Sequence, residues 1–151
     1  MKSKRVKRAL TSIAAGLLCM SASIGLTSQE ALASAYGVQY WGGFTIDVKG
    51  VPVGIPSGQL AHQINGSGRT ITSEWGHISA AANICNWRID YVYFGMDTKE
   101  YRRIRGGTRY RCDRWAYGDT VYPGTVNYGR ACAQLYSNGV YITRQCHSIT
   151  G

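Results

Sequence analysis

Residues 130–149 read RACAQLYSNGVYITRQCHSI, and this stretch decides the fold class. Asn138-Gly139 lies between two runs rich in apolar and aromatic residues, and both central residues of a type I′ turn need a positive φ, which Asn and Gly tolerate best. The stretch is therefore predicted to form a β-hairpin. A plain two-residue loop would place Cys132 opposite Gln145, so a bond between Cys132 and Cys146 would require a bulge or a three-residue loop.

The chain before this hairpin shows the same character. Short runs rich in Tyr, Trp, Val, Ile and Thr are separated by Gly, Asn and Asp, with no long helical period. A hairpin is predicted from residues 87–94 and 99–105, and one short helical turn from the alanines of 79–84. The other predicted strands are residues 38–48, 59–64, 70–75 and 109–117. The expected fold is one all-β, antiparallel, sandwich-like domain stapled by disulfides, with an extended N-terminal arm.

The first 35 residues have the features of a cleaved secretory signal. A basic segment (Lys2, Lys4, Arg5, Lys7, Arg8) precedes an apolar stretch over residues 9–26, and small residues follow at the spacing that signal peptidase recognises. Cleavage is expected after Ala33 or Ala35. The apolar stretch is too diluted by polar residues to span a membrane, so we expect a secreted, extracellular chain without stable membrane insertion after cleavage. The predicted division is 1–35 signal, 36–58 arm and 59–151 β domain.

Removal of the signal changes both the charge and the cysteine count. The net charge falls from +9 to +5, because five of the 17 basic residues and one of the eight acidic residues leave. Cys19 leaves too. The remaining four cysteines predict two disulfides in an exported chain: Cys85, Cys112, Cys132 and Cys146. A metal site is disfavoured because no Cys-x-x-Cys pair is present. All three pairings stay open.

Residues 36–58 combine six glycines and two prolines with several large apolar residues. This composition is too apolar for a free linker and too rich in Gly and Pro for a central strand. It predicts an extended arm. The arm docks either on the domain's own sheet, which the composition favours, or on another protein.

Basic residues are concentrated between residues 99 and 114, with aromatic residues among them. Four interpretations are open: a solvated face, a protein-binding surface, a nucleic-acid site and a site for anionic surface polymers, of which the last two are disfavoured. The candidate partner-binding residues of this basic hairpin are Arg102, Arg103, Arg105, Arg109 and Arg111.

Titratable residues give little sign of a catalytic centre. The three histidines lack ligand spacing, and no nucleophile motif is present, so no catalytic residue, metal or cofactor is predicted. Glu74 is interpreted as a solvated residue at a strand end. The enzymatic alternative is a small secreted ribonuclease, which would use Glu74 or Glu100 as base, Arg102 or Arg103 as phosphate clamp, and His147 as acid.

Three segments carry a resemblance to a known family: CNWRIDY at 85–91, ACAQLYSNGV at 131–140 and RQCH at 144–147. Together they resemble the adaptor subunit of bacterial umbrella toxin particles, over most of residues 60–149. The resemblance implies a small β-rich adaptor that joins a lectin-like propeller subunit to the ring of a large toxin polypeptide. It also implies that the arm lies across the propeller subunit, with Tyr40, Trp41, Phe44 and Ile46 as anchors. It supplies no catalytic residues.

The sequence therefore predicts a secreted, non-enzymatic, protein-binding adaptor whose partners are other secreted subunits of an antibacterial toxin assembly. The alternatives are the ribonuclease-like hydrolase and a stand-alone secreted inhibitor or antimicrobial protein. An adaptor should be recovered from culture medium in a high-mass complex, whereas the alternatives should behave as small monomers.

Overall fold

The computed structural model describes residues 34–150, so the predicted signal lies outside the described residues except for its last two positions. This part of the chain contains β-strands and no helix. The strands are β1 (Ala35–Trp41), β2 (Phe44–Val48), β3 (Val51–Ile55), β4 (Gly58–Ser67), β5 (Thr70–Gly95), β6 (Glu100–Ile104), β7 (Arg109–Tyr117), β8 (Gly124–Thr125), β9 (Gly129–Ser137) and β10 (Val140–Ile149). The predicted all-β class is confirmed.

The architecture is organised by β5, which runs for 26 residues. The main sheet has the order β1-β4-β5-β9-β10, while β6, β7 and β8 also pair with β5, and every pairing is antiparallel. The sheet curls into a half-barrel that brings β10 close to β1, where Gln145 and His147 pack beside Gly37. A second sheet consists of β2 and β3 alone.

The core fills the inside of the curled sheet. Side chains that alternate along β4 and β5 point inward, and Leu60, Ile64, Ile78, Trp87 and Ile89 are almost completely removed from solvent. Burial of such side chains stabilises the fold by roughly 1.5–3 kcal/mol each. The same alternation directs Trp75, His77 and Ser79 of β5 to the outside.

Both disulfides form, Cys85–Cys112 between β5 and β7 and Cys132–Cys146 between β9 and β10. The C-terminal hairpin turns at Asn138 and Gly139, with φ of 51° and 82°. Its register shifts between Tyr141 and Thr143, which places Cys146 directly opposite Cys132. The bulge that this bond was expected to require is present.

One local expectation is wrong in the structure, and residues 36–58 follow the alternative that was favoured for them. Residues 79–84 form no helical turn, because this part of β5 pairs with β4 through Ser79 and Ala80 and with β7 through Ser79 and Ile84. Residues 36–58 dock on their own domain as strand β1, which pairs with β4, and as the β2–β3 hairpin. That hairpin turns at Lys49 and Gly50, which both have positive φ.

Candidate interaction surface

The outer face of strands β1, β4, β5 and β7 carries a continuous set of aromatic side chains. Antiparallel pairing places outward-facing residues of neighbouring strands side by side in three rows. The first row is Tyr36, Gln63 and Trp75, and the second is Val38, Ala61, His77 and Tyr117. The third row is Tyr40, Gln59, Ser79 and Trp115. We call these rings the aromatic face, which comprises Tyr36, Tyr40, Trp75, His77, Trp115 and Tyr117. It combines strands that are distant in sequence.

All rings of the aromatic face except that of Tyr40 contact a neighbouring ring of the set. Ring centroids are 4.6 Å apart for His77 and Trp115, 4.8 Å for His77 and Tyr117, and 5.1 Å for Trp115 and Tyr117. Trp75 lies 5.4 Å from Tyr117 and 6.5 Å from Tyr36, which extends the set to β1. Edge-to-face pairs of this kind contribute about 0.5–1.5 kcal/mol each beyond burial, and they hold the rings in fixed orientations.

This face is exposed and uncharged. Tyr40 is 71% exposed, Trp115 59% and Tyr117 51%. Burial lowers the pKa of His77 below its ordinary value of 6.5, so its imidazole is neutral at pH 7. Contiguous exposed aromatic surface is uncommon on monomeric proteins and is typical of binding surfaces.

A cavity of about 400 Å³ adjoins the aromatic face at the end of β1, and its lining includes Tyr40, Trp41, Gln59 and Ser79. The Trp41 indole is fixed because its Nε1 donates a hydrogen bond to the Pro56 carbonyl at 2.7 Å. Tyr40 and Trp41, two of the arm anchors that the resemblance implies, therefore lie on or beside one surface.

The other two implied anchors belong to the β2–β3 hairpin. Phe44 is 39% exposed at the start of β2. Ile46 differs from the expectation, because its side chain is 7% exposed and packs in the hydrophobic core. An isoleucine that faces inward serves the fold and offers no side chain to a partner.

Four of the five candidate arginines of the basic hairpin are engaged within the domain. Arg102 donates to the Pro123 carbonyl at 2.8 Å, and Arg103 pairs with Glu100 at 2.7 Å. Similar pairs join Arg109 to Asp119 at 2.6 Å and Arg111 to Asp113 at 2.9 Å. These partly exposed pairs are each worth little in stability, but they reduce the free positive charge of the hairpin. Within residues 34–150, Arg105 alone among the five donates no hydrogen bond.

Glu74 is fully buried, which corrects its interpretation as a solvated strand end. Its Oε1 lies 2.8 Å from Nε2 of His62, also fully buried, and its Oε2 accepts a hydrogen bond from the Tyr93 hydroxyl. Its backbone exchanges two hydrogen bonds with Val121, both at 2.9 Å. Side chains alternate between the two faces along β5. Glu74 therefore points inward with Gly76 and Ile78, whereas Trp75 points outward.

His147 lies on the other side of His62. Its Nε2 is 3.0 Å from the His62 carbonyl oxygen, and the two rings are 4.8 Å apart. Burial lowers the pKa of His147 below 6.5. Of the residues named for the ribonuclease alternative, Glu74 and His147 share the neighbour His62, whereas Glu100 is bonded to Arg103 on β6. In this structure the Glu74–His62 pair has no exposed surface.

Four further findings do not belong to any one surface or cluster. Among the described residues, no helix has the length and apolarity needed to cross a membrane, and no cluster of three potential metal-binding side chains occurs in residues 34–150. Two disulfides are consistent with an oxidising, extracellular environment. No known protein family, curated protein or solved structure matches this chain.

Proposed function

We propose that this chain is a secreted, non-enzymatic adaptor that binds another protein through its aromatic face. The observation that carries the proposal is a set of mutually packed Trp and Tyr rings, exposed to solvent on an uncharged sheet face. Trp and Tyr dominate the residues that contribute most to protein–protein affinity, because they bury a large area at low entropic cost. Rings that are already held by their neighbours lose little freedom on binding.

The partner in this proposal is another exported subunit of an antibacterial toxin assembly. The adaptor would link a lectin-like subunit to a larger toxin polypeptide, an assignment that rests on the resemblance of residues 60–149 to umbrella-toxin adaptors. The position of Tyr40 within the aromatic face and of Trp41 beside it supports this role, because the implied anchors adjoin the exposed rings of β5 and β7.

The test compares Trp115→Ala/Tyr117→Ala with the matched control Tyr141→Ala. Tyr141 is an exposed tyrosine on β10, outside the aromatic face. Each protein is purified from culture medium by size exclusion, and co-eluting subunits are identified by mass spectrometry. We expect the parent and Y141A to elute in a high-mass complex and the double variant to elute as a monomer with both disulfides intact. Loss of one hot-spot residue weakens binding by about 30-fold.

Two results would contradict the proposal. The first is an unchanged complex in the double variant, which would place the contact elsewhere. The second is RNA hydrolysis by the purified parent that disappears in His147→Ala, which would assign the chain to the hydrolase class instead.

A further inference from the structure

A second cavity lies away from the aromatic face, where β5, β6 and β7 approach the turn of the C-terminal hairpin. Its volume is about 320 Å³. The polar residues that line it include Asn86, Arg88, Arg105, Thr108, Tyr110 and Asn138. Arg105 is the candidate arginine that donates no hydrogen bond within residues 34–150, and here it shares a cavity with a second guanidinium.

Arg88 is a fixed cation in this cavity. Its side chain is 13% exposed, its Nε donates to Asp90 Oδ1 at 3.0 Å, and its guanidinium lies 4.2 Å from the centroid of the Tyr136 ring. Among the described residues, Asp90 is the only acceptor of its guanidinium. The remaining N–H groups of Arg88 are therefore available to a ligand. Because the Arg88 side chain is already held in place, it would lose little conformational entropy when a ligand binds.

The floor of the cavity is also rigid. Asn86 and Asn138 both adopt the left-handed conformation, with φ of 48° and 51°. Asn86 Nδ2 donates to Asn138 Oδ1 at 2.7 Å, and the backbone N–H of Asn138 donates to the backbone carbonyl of Asn86 at 2.9 Å. A bulge in β5 is thus tied to the hairpin turn of β9 and β10. Asn tolerates this conformation better than other non-glycine residues, and the two hydrogen bonds between the asparagines hold both positions in it.

The charge around the cavity favours an anion. No carboxylate is among its lining residues. Asp90, the acid that pairs with Arg88, is 1% exposed and is already shared between Arg88 and Arg103, at 3.0 Å and 3.3 Å. Arg105 forms no ion pair within the described residues, so its positive charge is not neutralised there.

We propose that this cavity binds a phosphate group. Two guanidinium groups from separate elements and the hydroxyls of Thr108 and Tyr110 supply more donors than a carboxylate can accept, and they suit the several oxygens of a phosphate. The group is either free phosphate or a phosphodiester of a polyanionic polymer. This site is independent of the aromatic face and does not rest on the proposed adaptor function.

The experiment is a calorimetric titration of the secreted protein with inorganic phosphate, with acetate as the comparison anion. Arg105→Gln removes the charge, Arg105→Lys keeps the charge without the planar fork, and Arg144→Gln is the matched control, an exposed arginine on β10 outside the cavity. We expect saturable binding of phosphate, weaker binding of acetate, and unchanged affinity in R144Q. R105Q should weaken phosphate binding at least about tenfold, with R105K between the two.

A second titration, with poly(glycerol phosphate), distinguishes the two sources. Binding of the polymer that R105Q weakens identifies a phosphodiester ligand, and binding of inorganic phosphate alone identifies the free ion. Absence of saturable binding of both inorganic phosphate and the polymer by the parent would overturn the proposal. So would equal affinity in the parent and R105Q. Arg88 is left unchanged in these tests because its removal would leave the buried Asp90 without its closest partner.

Discussion

Replacement of Glu74 by alanine tests whether the buried polar cluster stabilises the domain. The change removes the acceptor of two buried groups, the Tyr93 hydroxyl and the His62 Nε2. The other ring nitrogen of His62, Nδ1, already lacks a partner within residues 34–150. After the substitution, the His62 imidazole would be buried without any hydrogen bond at either nitrogen.

The expected cost follows from these two groups. A buried polar group left without a hydrogen-bond partner costs about 1–3 kcal/mol, and Glu74→Ala leaves two such groups, the Tyr93 hydroxyl and His62 Nε2. We therefore expect Glu74→Ala to lower the free energy of unfolding by about 4 kcal/mol. Since small domains are stable by only about 5–15 kcal/mol, this loss is a large share of the total.

The assay is urea unfolding of the oxidised protein, followed by tryptophan fluorescence. With a denaturant slope of about 2 kcal/mol/M, the unfolding midpoint should fall by about 2 M. Glu74→Gln is the matched control. It keeps one acceptor for Tyr93 and one donor for the imidazole, so it should cost about 1–2 kcal/mol. A loss below about 1 kcal/mol in the alanine variant would refute the reasoning, because it would mean that both groups find other partners.

Three further outcomes are expected. Burial, reinforced by the charge of Glu74, raises the pKa of Tyr91 and Tyr93 well above 10, so phenolate absorbance at about pH 11 should show both rings still protonated and should rise on unfolding. Burial lowers the pKa of His147, so the contribution of this residue to stability is complete above pH 6.5 and is lost as the pH falls through the lowered pKa. The urea midpoint should therefore drop between about pH 7.5 and pH 5, and it should drop by less in His147→Asn. Replacement of both Cys132 and Cys146 by serine removes a disulfide that joins residues 14 positions apart. This double variant should lose about 3 kcal/mol of stability, measured by thermal unfolding, and no change would show that the bulged strand pairing holds without the bond.

The sequence predicted what local chemistry determines. The turn at Asn138-Gly139 follows from the φ preference of those two residues alone. The helical turn over residues 79–84 was wrong because strand pairing on both edges of β5 outweighs the helix preference of its alanines. The disulfide pairing stayed open because the bulge that aligns Cys132 with Cys146 leaves no signal of its own in the sequence.

The candidate surface was harder to predict than the fold class. Trp75 and Tyr117 are 42 positions apart in sequence, and their rings meet only through the register of β7 on β5. The burial of Glu74 could in principle have been predicted from the sequence. In the predicted strand 59–64, His62 lies on the same inward face as Leu60 and Ile64. A carboxylate that faces an inward histidine on the next strand would have indicated a core pair, but the pairing of the two strands was not known.

The length of β5 has a consequence for the folding kinetics. Five other strands, β4, β6, β7, β8 and β9, form hydrogen bonds with it directly, and β10 joins the sheet through β9. These partners come from both halves of the chain, so β5 cannot complete its hydrogen bonding before the C-terminal strands arrive. Such non-local topologies fold in milliseconds to seconds rather than microseconds. The amides at the middle of β5 should exchange with deuterium last, through opening of the whole domain rather than of any part.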